Sequence, residues 1–229
     1  MQVKFYETDP VLKDHILMFA FAELSVAELS KTKFLPDNAT SLTLFLNVNP
    51  TVRDHFTGDT LNYRITFSGQ YSKSVLYTPA EDIRIINVDF LPWGAYSIFG
   101  IEQSQLHNIT SDATLLFPEL KKLLPDLENH LHDDEYCVRV LEKFLLDELQ
   151  KRTKKVDERI IEACQQITEN LGKVQIKELC KSVGMSHSGL TNYFTTMIGV
   201  NPKLFGRVAR FTAVQNSHQH RHDAAARHR

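Results

Sequence analysis

The stretch that most constrains the fold of this chain is Ile176–Arg210, IKELCKSVGMSHSGLTNYFTTMIGVNPKLFGRVAR. Ile176 and Leu179 stand at helical spacing on one face of a predicted helix. Gly184 suits the left-handed backbone conformation of a turn, and Ser186 predicts the N-cap of the helix that follows. The stretch therefore predicts two short helices joined by a tight turn.

The second predicted helix has two different faces. The side chains predicted to point inward are Leu190, Tyr193, Phe194 and Met197. The opposite face carries short polar side chains that suit the floor of a DNA groove, namely His187, Ser188, Thr191, Asn192 and Thr195. Gly199 predicts the end of this helix, and Asn201 with Pro202 predicts the start of a third one. The third helix is predicted to pack beneath the first two through Phe205, Val208 and Phe211.

Charge is distributed unevenly along the chain. Residues 151–229 hold 14 Lys and Arg against 6 Asp and Glu, a net charge of +8. Residues 1–150 hold 12 against 22, a net charge of −10. A basic part beside an acidic part is what phosphate binding by one of them predicts. The alternative is a small helical bundle that binds no nucleic acid and whose basic side chains are a solvated face.

Eleven positions of this stretch resemble the DNA-binding module of AraC/XylS-type transcriptional regulators. The matching residues are Ile176, Leu179, Cys180, Gly184, Ser186, Leu190, Phe194, Gly199, Pro202, Phe205 and Arg210. The resemblance implies that double-stranded DNA is a partner and that the polar face of the second helix lies in its major groove. Phosphate or packing roles are expected for Lys173, Lys181, Lys203, Arg207 and Arg210.

The chain departs from the family pattern in two ways that bear on mechanism. Ser188, Asn192 and Thr195 stand where the family often has Arg or Lys, so we expect few phosphate contacts from this helix. The match also covers only the first of the family's two helix-turn-helix units. After Gln215 the sequence reads NSHQHRHDAAARHR, and we expect residues 216–229 to be disordered or a frayed helix extension. The DNA-binding module is therefore predicted to be incomplete.

The first part of the chain is predicted to be rich in β-structure. Short β-prone runs separated by turn signals occur at Ser41–Val48, Leu61–Phe67, Ser74–Tyr77 and Ile83–Phe90. They predict a sheet sandwich or an open barrel, followed by a helix that begins near Ala95. Gly69-Gln70 and the later Phe, Pro and Gly at 90, 92 and 94 resemble the cupin-like N-terminal domain of one AraC-type branch. That resemblance implies a small-molecule effector or a homodimer contact.

Neither a metal site nor a catalytic site is predicted. Residues 40–100 lack the His-x-His spacing expected of a metal-binding cupin, so we expect no bound metal and no other cofactor. The cluster His130–Asp134 is predicted to be a polar loop in which an Asp caps the next helix. No nucleophile elbow, phosphate loop or dinucleotide fingerprint is found, and catalysis is not expected. A cupin-like enzyme stays open as an alternative class.

Other features predict a cytoplasmic protein. The sequence has no apolar run of about 18 residues and no basic-then-apolar leader, so neither a membrane span nor a signal peptide is predicted. Cys137, Cys164 and Cys180 are scattered and predicted to be reduced core residues on helices. The apolar stripe of a predicted helix at Tyr136–Leu149 fits either packing against the sheet or a dimer contact.

The fold predicted from the sequence is α+β. It places a cupin-like or otherwise β-rich sensor or dimerisation domain, ending in helices, at residues 1–150, and an all-α helix-turn-helix module at residues 151–215. The predicted function is a sequence-specific DNA-binding regulator of the AraC type that responds to an effector. The alternative is a truncated regulator that binds a ligand or dimerises without binding DNA on its own.

Overall fold

The chain is described from a computed structural model covering residues 2–29, 33–47, 52–53, 60–76, 81–151 and 155–226. It is a mixed α+β fold. The strands are β1 Gln2–Tyr6, β2 Ile16–Leu24, β3 Lys33–Phe34, β4 Thr40–Phe45, β5 Val52–Arg53, β6 Thr60–Leu61, β7 Ile65–Ser68, β8 Val75–Leu76, β9 Ile83–Phe90 and β10 Thr110–Asp112. The helices are α1 Val26–Leu29, α2 Gly94–Phe99, a 3₁₀ turn Gln103–Leu106, α3 Ala113–Leu116, α4 Pro118–Asn129, α5 Asp134–Gln150, α6 Glu158–Glu169, α7 Ile176–Ser182, α8 His187–Ile198 and α9 Pro202–Ala226. None of the helices within these ranges is both long enough and apolar enough to cross a membrane.

The main sheet has six antiparallel strands in the order β1-β2-β9-β4-β7-β10. Two short ladders, β3 with β8 and β5 with β6, lie outside it. The strands predicted from the sequence correspond to β4, β6 with β7, β8 and β9. The nine-residue β2 and its edge partner β1 are not among the predicted strands.

One face of the main sheet carries the larger hydrophobic core. Because strand side chains alternate between faces, Phe19, Leu42, Phe67 and Val88 point to the same side and are fully buried. They pack with α2, α4 and α5 in the larger hydrophobic core. The apolar stripe of α5 fits either packing against the sheet or a dimer contact in the sequence. In the structure its residues Leu141 and Phe144 are part of this core. The sheet therefore holds α2, α4 and α5 on one face, whereas Leu29 of α1 packs on the other face with Ala22 and Leu24.

Polar contacts fix the start of α5 against the sheet. The Asp133 carboxylate accepts a hydrogen bond from the Tyr136 backbone N–H at 2.9 Å, which confirms the predicted helix cap. The neighbouring Asp134 is buried and accepts from Lys4 Nζ at 3.0 Å and from Arg84 Nη2 at 2.6 Å. This acid therefore joins β1 and β9 to α5, because a buried carboxylate needs charged partners.

The back part of the chain, residues 155–226, has a second core. It is built by α6–α9 and includes Ile160, Leu179, Phe194 and Phe205. Trp93 from the front part also packs against it. α9 continues to Ala226, so the backbone of residues 216–226 is part of this helix. Its Ala-rich end favours helix, since Ala has the highest helix propensity; residues 227–229 lie outside the described ranges.

Two predicted core residues of the back part are on the surface. Leu190, Phe194 and Met197 of α8 are buried as predicted, but Tyr193 is 50% exposed. On α9, Phe211 is 43% exposed, although Phe205 and Val208 are buried. Both predictions were wrong, because these two side chains lie on parts of α8 and α9 that neighbouring helices leave exposed. Tyr193 thus adds an aromatic ring to the exposed surface of α8.

Two glycines with left-handed backbones differ in their surroundings. Gly184, between α7 and α8, has φ 65°, and a Cβ placed there would meet nothing within 4 Å. Gly172, after α6, has φ 72°, and a Cβ there would lie 2.1 Å from the carbonyl oxygen of Gly206 on α9. At Gly184 only the left-handed backbone favours glycine. At Gly172 the absence of a side chain also lets α9 approach closely.

We expect Gly184→Ala to lower the free energy of unfolding by about 1–2 kcal/mol, the general cost of a left-handed L-residue. Gly172→Ala should lower it by roughly 1–3 kcal/mol more, because the added methyl group overpacks the contact with α9. Urea unfolding of the two variants measures the difference. Equal losses would contradict the close approach at Gly172.

Candidate nucleic-acid interface and sheet cavity

The connection between α7 and α8 is short and held by backbone hydrogen bonds. Met185 N–H donates to the carbonyl oxygen of Cys180 at 3.0 Å, across the left-handed Gly184. Ser186 Oγ then accepts from the Gly189 N–H at 3.1 Å and caps α8, as the sequence predicts. The half-buried Cys180 leaves room for α8 to pack on α7. The local sequence therefore fixes where α8 begins relative to α7.

The predicted groove-facing residues lie on the side of α8 away from its core. His187, Ser188 and Asn192 are exposed, and Thr191 and Thr195 are half-buried. Positions 188, 192 and 195 fall on successive turns of one helix face. This face offers hydroxyl and amide groups together with the exposed ring of Tyr193. The structure brings all five predicted residues together on one helix.

The five predicted cationic residues have different surroundings. Lys173, Lys203 and Arg207 are exposed. Lys181 is also exposed, and its Nζ lies 3.1 Å from Glu178 Oε1 one turn earlier on α7. Arg210 is exposed too, and its Nη1 donates to the carbonyl oxygen of Gly172 at 2.5 Å, a contact between α9 and the turn after α6. Lys173, Lys203 and Arg207 are thus the stronger candidates for phosphate contacts.

A cavity of about 420 Å³ lies on the other face of the main sheet. Its floor is formed by the alternate strand positions that do not enter the larger core, including Ala20, Ala22, Ser41 and Thr66. These side chains are small, so they leave space next to the strands. The opposite side is formed by residues between β2 and β4 and near β8, such as Leu29 and Val75. The sequence pattern did not predict this cavity.

Two carboxylates line one part of the cavity, Asp37 and Asp89. Burial raises the pKa of Asp89 to about 6, and the negative charge of Asp37 acts in the same direction. A hydrogen bond from Asn87 Nδ2 at 2.7 Å opposes part of this rise. Neighbouring protein atoms also raise the pKa of Asp37 through desolvation, although this residue is exposed. Tyr63 and Tyr71 are the other titratable residues lining the cavity within the described ranges. The cavity therefore contains two acidic side chains whose pKa values are raised.

The segment beside Asp37 also contacts the back part. Asn38, with φ 63°, donates from Nδ2 to the carbonyl oxygen of Phe205 on α9 at 3.1 Å. Gln70 Nε2 donates to the Asn38 carbonyl oxygen at 3.1 Å, and Thr212 Oγ1 of α9 lies 3.3 Å from the Pro36 carbonyl oxygen and 3.1 Å from that of Val208. One short segment therefore both borders the cavity and contacts α9.

Comparisons with known proteins give only distant likenesses. No family model matches this chain, and no curated protein matches it. The structure of the AraC-like transcriptional activator CuxR is 14% identical, with a TM-score of 0.33, over 93% of this chain and 79% of that one. Wild-type ToxT from Vibrio cholerae bound to an unsaturated fatty acid is 13% identical, with a TM-score of 0.26, over 88% of this chain and 96% of that one. Scores of this size carry no inference about this chain.

We expect Asp89→Asn to stabilise the protein at about pH 7 and to leave its stability near pH 4 unchanged. Asp89 has a folded pKa of about 6 against an ordinary value of 3.8, so its ionisation lowers the free energy of unfolding as the pH rises between those values. The gain should be about 1–3 kcal/mol, allowing for solvent that reaches the half-buried carboxylate.

Urea unfolding of the two proteins at both pH values measures this effect. Glu81→Gln, which alters an exposed carboxylate just before β9, is the matched control and should show no such gain. A variant Asp89→Asn that is less stable than the original chain at about pH 7 would contradict the assigned desolvation.

Proposed function

We propose that this chain is a DNA-binding transcriptional regulator of the AraC type and that a small-molecule effector binds in the sheet cavity. The observation that carries the proposal is the exposed polar face of α8, which begins at a capped turn after Gly184. A helix set at a fixed angle on a preceding helix is the usual means of entering the major groove. The net charge of +8 in residues 151–229 supports an anionic partner for this part.

The side chains on α8 suit contacts with base edges. Asn192 is exposed and can donate to and accept from an adenine, which is the pairing that an asparagine amide makes in the major groove. Ser188 and Thr195 can hydrogen-bond to several bases, so they contribute less discrimination. The face carries little positive charge, and affinity from phosphates would therefore come from Lys173, Lys203 and Arg207 outside α8.

The contact between Asn38 and α9 supports an effector response. Asp37 lines the cavity, and the adjacent Asn38 side chain contacts the backbone of α9 at Phe205. A ligand that shifts this segment would change the position of α9 relative to the front part. Control of DNA binding by a ligand requires a structural element whose position depends on both the ligand site and the DNA site.

We expect Asn192→Ala to weaken binding to a preferred DNA site by about 1–3 kcal/mol and to leave binding to random DNA nearly unchanged. The preferred site is first selected from a random duplex library with the unaltered chain. Fluorescence anisotropy with both duplexes then gives the two affinities. Equal losses on preferred and random DNA would contradict a groove position for Asn192.

Lys203→Ala should weaken binding to both duplexes alike and reduce the slope of log affinity against log salt by about 1, because one phosphate contact is removed. The matched control is Lys122→Ala, which removes an exposed lysine from α4 in the front part and should change neither quantity. Loss of specificity without a change in salt slope would show that Lys203 contacts bases rather than phosphate.

The second candidate function is a protein that binds a ligand or dimerises without binding DNA on its own. The few exposed cations near α8 favour this candidate, because non-specific affinity depends on phosphate neutralisation. The same anisotropy titrations separate the two functions. No binding to any duplex at low salt, with a folded protein, would support the second candidate and refute the first.

A further inference from the structure

We propose that the effector of the sheet cavity is a cationic amphiphile, a molecule with an apolar body and a protonated amine that lies between Asp37 and Asp89. The inference rests on the proposed function in one respect, that the cavity binds an effector. It adds the chemical class of that effector.

The floor of the cavity changes from polar to apolar along the strands. Cross-strand pairing places Asp89 of β9 opposite Ser41 of β4, Ser41 opposite Ser68 of β7, and Ser68 opposite Thr110 of β10. All four residues line the cavity. One row across four strands therefore consists entirely of hydrogen-bonding side chains.

Four residues further along β9 the floor is apolar. Ile85 pairs with Ala22 of β2 and with Phe45 of β4, and all three line the cavity. Leu24 and Ile83, which pair with each other, extend the apolar surface. Successive same-face residues of a strand lie about 7 Å apart. Asp89 and Ile85 are two such steps apart, so roughly 13 Å separates the polar row from the apolar row. This is comparable with the length of an extended alkyl chain.

The charge at the polar end has one sign. Among the described residues that line the cavity, Asp37 and Asp89 are the only charged ones. Thr43 Oγ1 donates to Asn87 Oδ1 at 2.6 Å, and Asn87 Nδ2 donates to Asp89 Oδ1, so this relay holds the Asp89 carboxylate in place. Burial and then the negative charge of Asp37 raise the pKa of Asp89 to about 6, which leaves most of it ionised at neutral pH.

A cation would relieve the repulsion between these two carboxylates and satisfy their remaining acceptor positions. A carboxylate ligand would add a third negative charge beside two carboxylates, which is unfavourable. A volume of about 420 Å³ is within the range of small-molecule sites. The arrangement therefore selects an amine head group and an apolar tail.

The test compares three probes with the same alkyl chain, octylammonium, octanoate and octanol, by isothermal titration calorimetry with the full chain at neutral pH. We expect octylammonium to bind at least about tenfold more tightly than octanoate, because only the ammonium group can form a charge-assisted hydrogen bond with the two carboxylates. Asp37→Asn and Asp89→Asn should each remove most of this preference and leave octanol binding nearly unchanged. Glu81→Gln, outside the cavity, should leave all three affinities unchanged.

Stability separates lost binding from misfolding, because Asp89→Asn is expected to unfold at a higher temperature than the original chain in the absence of probe. Octanoate binding as tightly as octylammonium would overturn the ligand class and leave the regulator and its cavity intact. A preference for octylammonium over octanoate that persists in both Asn variants would likewise overturn the ligand class and leave the regulator and its cavity intact. Failure of all three probes to bind would overturn the cavity as an effector site, whatever the DNA titrations show.

Discussion

The burial of one face of the main sheet against the helices is the constraint on which the front part depends. In β2, Phe19 and Phe21 face the helices, whereas Ala20 and Ala22 face the opposite side. The large side chains bury apolar surface against α2, α4 and α5, and this burial is the main stabilising term of such a core. The larger core holds the sheet from one face, and a smaller cluster that includes Leu24, Leu29 and Ile83 covers part of the other face beside the cavity.

The helices and their caps could be predicted from the sequence because their determinants are local. Ser186 and Asp133 cap α8 and α5 at the expected positions, and the apolar spacing of both helices has the correct period. Burial of single residues was predicted less well. Tyr193 fits the apolar stripe of α8, yet neighbouring helices do not reach it, and helix periodicity does not record how far the partners extend.

The cavity could not be predicted because it depends on contacts between distant residues. Ser41 and Asp89 are 48 positions apart in sequence and become neighbours only through strand pairing. β2 was missed for a related reason, since Phe19–Ala22 is apolar on both faces and lacks the alternation of a half-buried strand. The small residues Ala20 and Ala22 within that apolar run are the one signal that could have indicated space beside the sheet.

Asn38 connects the edge of the cavity to α9 in the back part of the molecule. Its side chain contacts α9 at Phe205, and its neighbour Asp37 lies at the cavity. If a ligand changes the affinity of the back part for DNA through this segment, thermodynamic linkage requires DNA to change the affinity of the cavity for that ligand by the same factor. The nucleic acid would then act as an allosteric effector of the cavity, and the occupancy of each site would depend on the concentration of both partners.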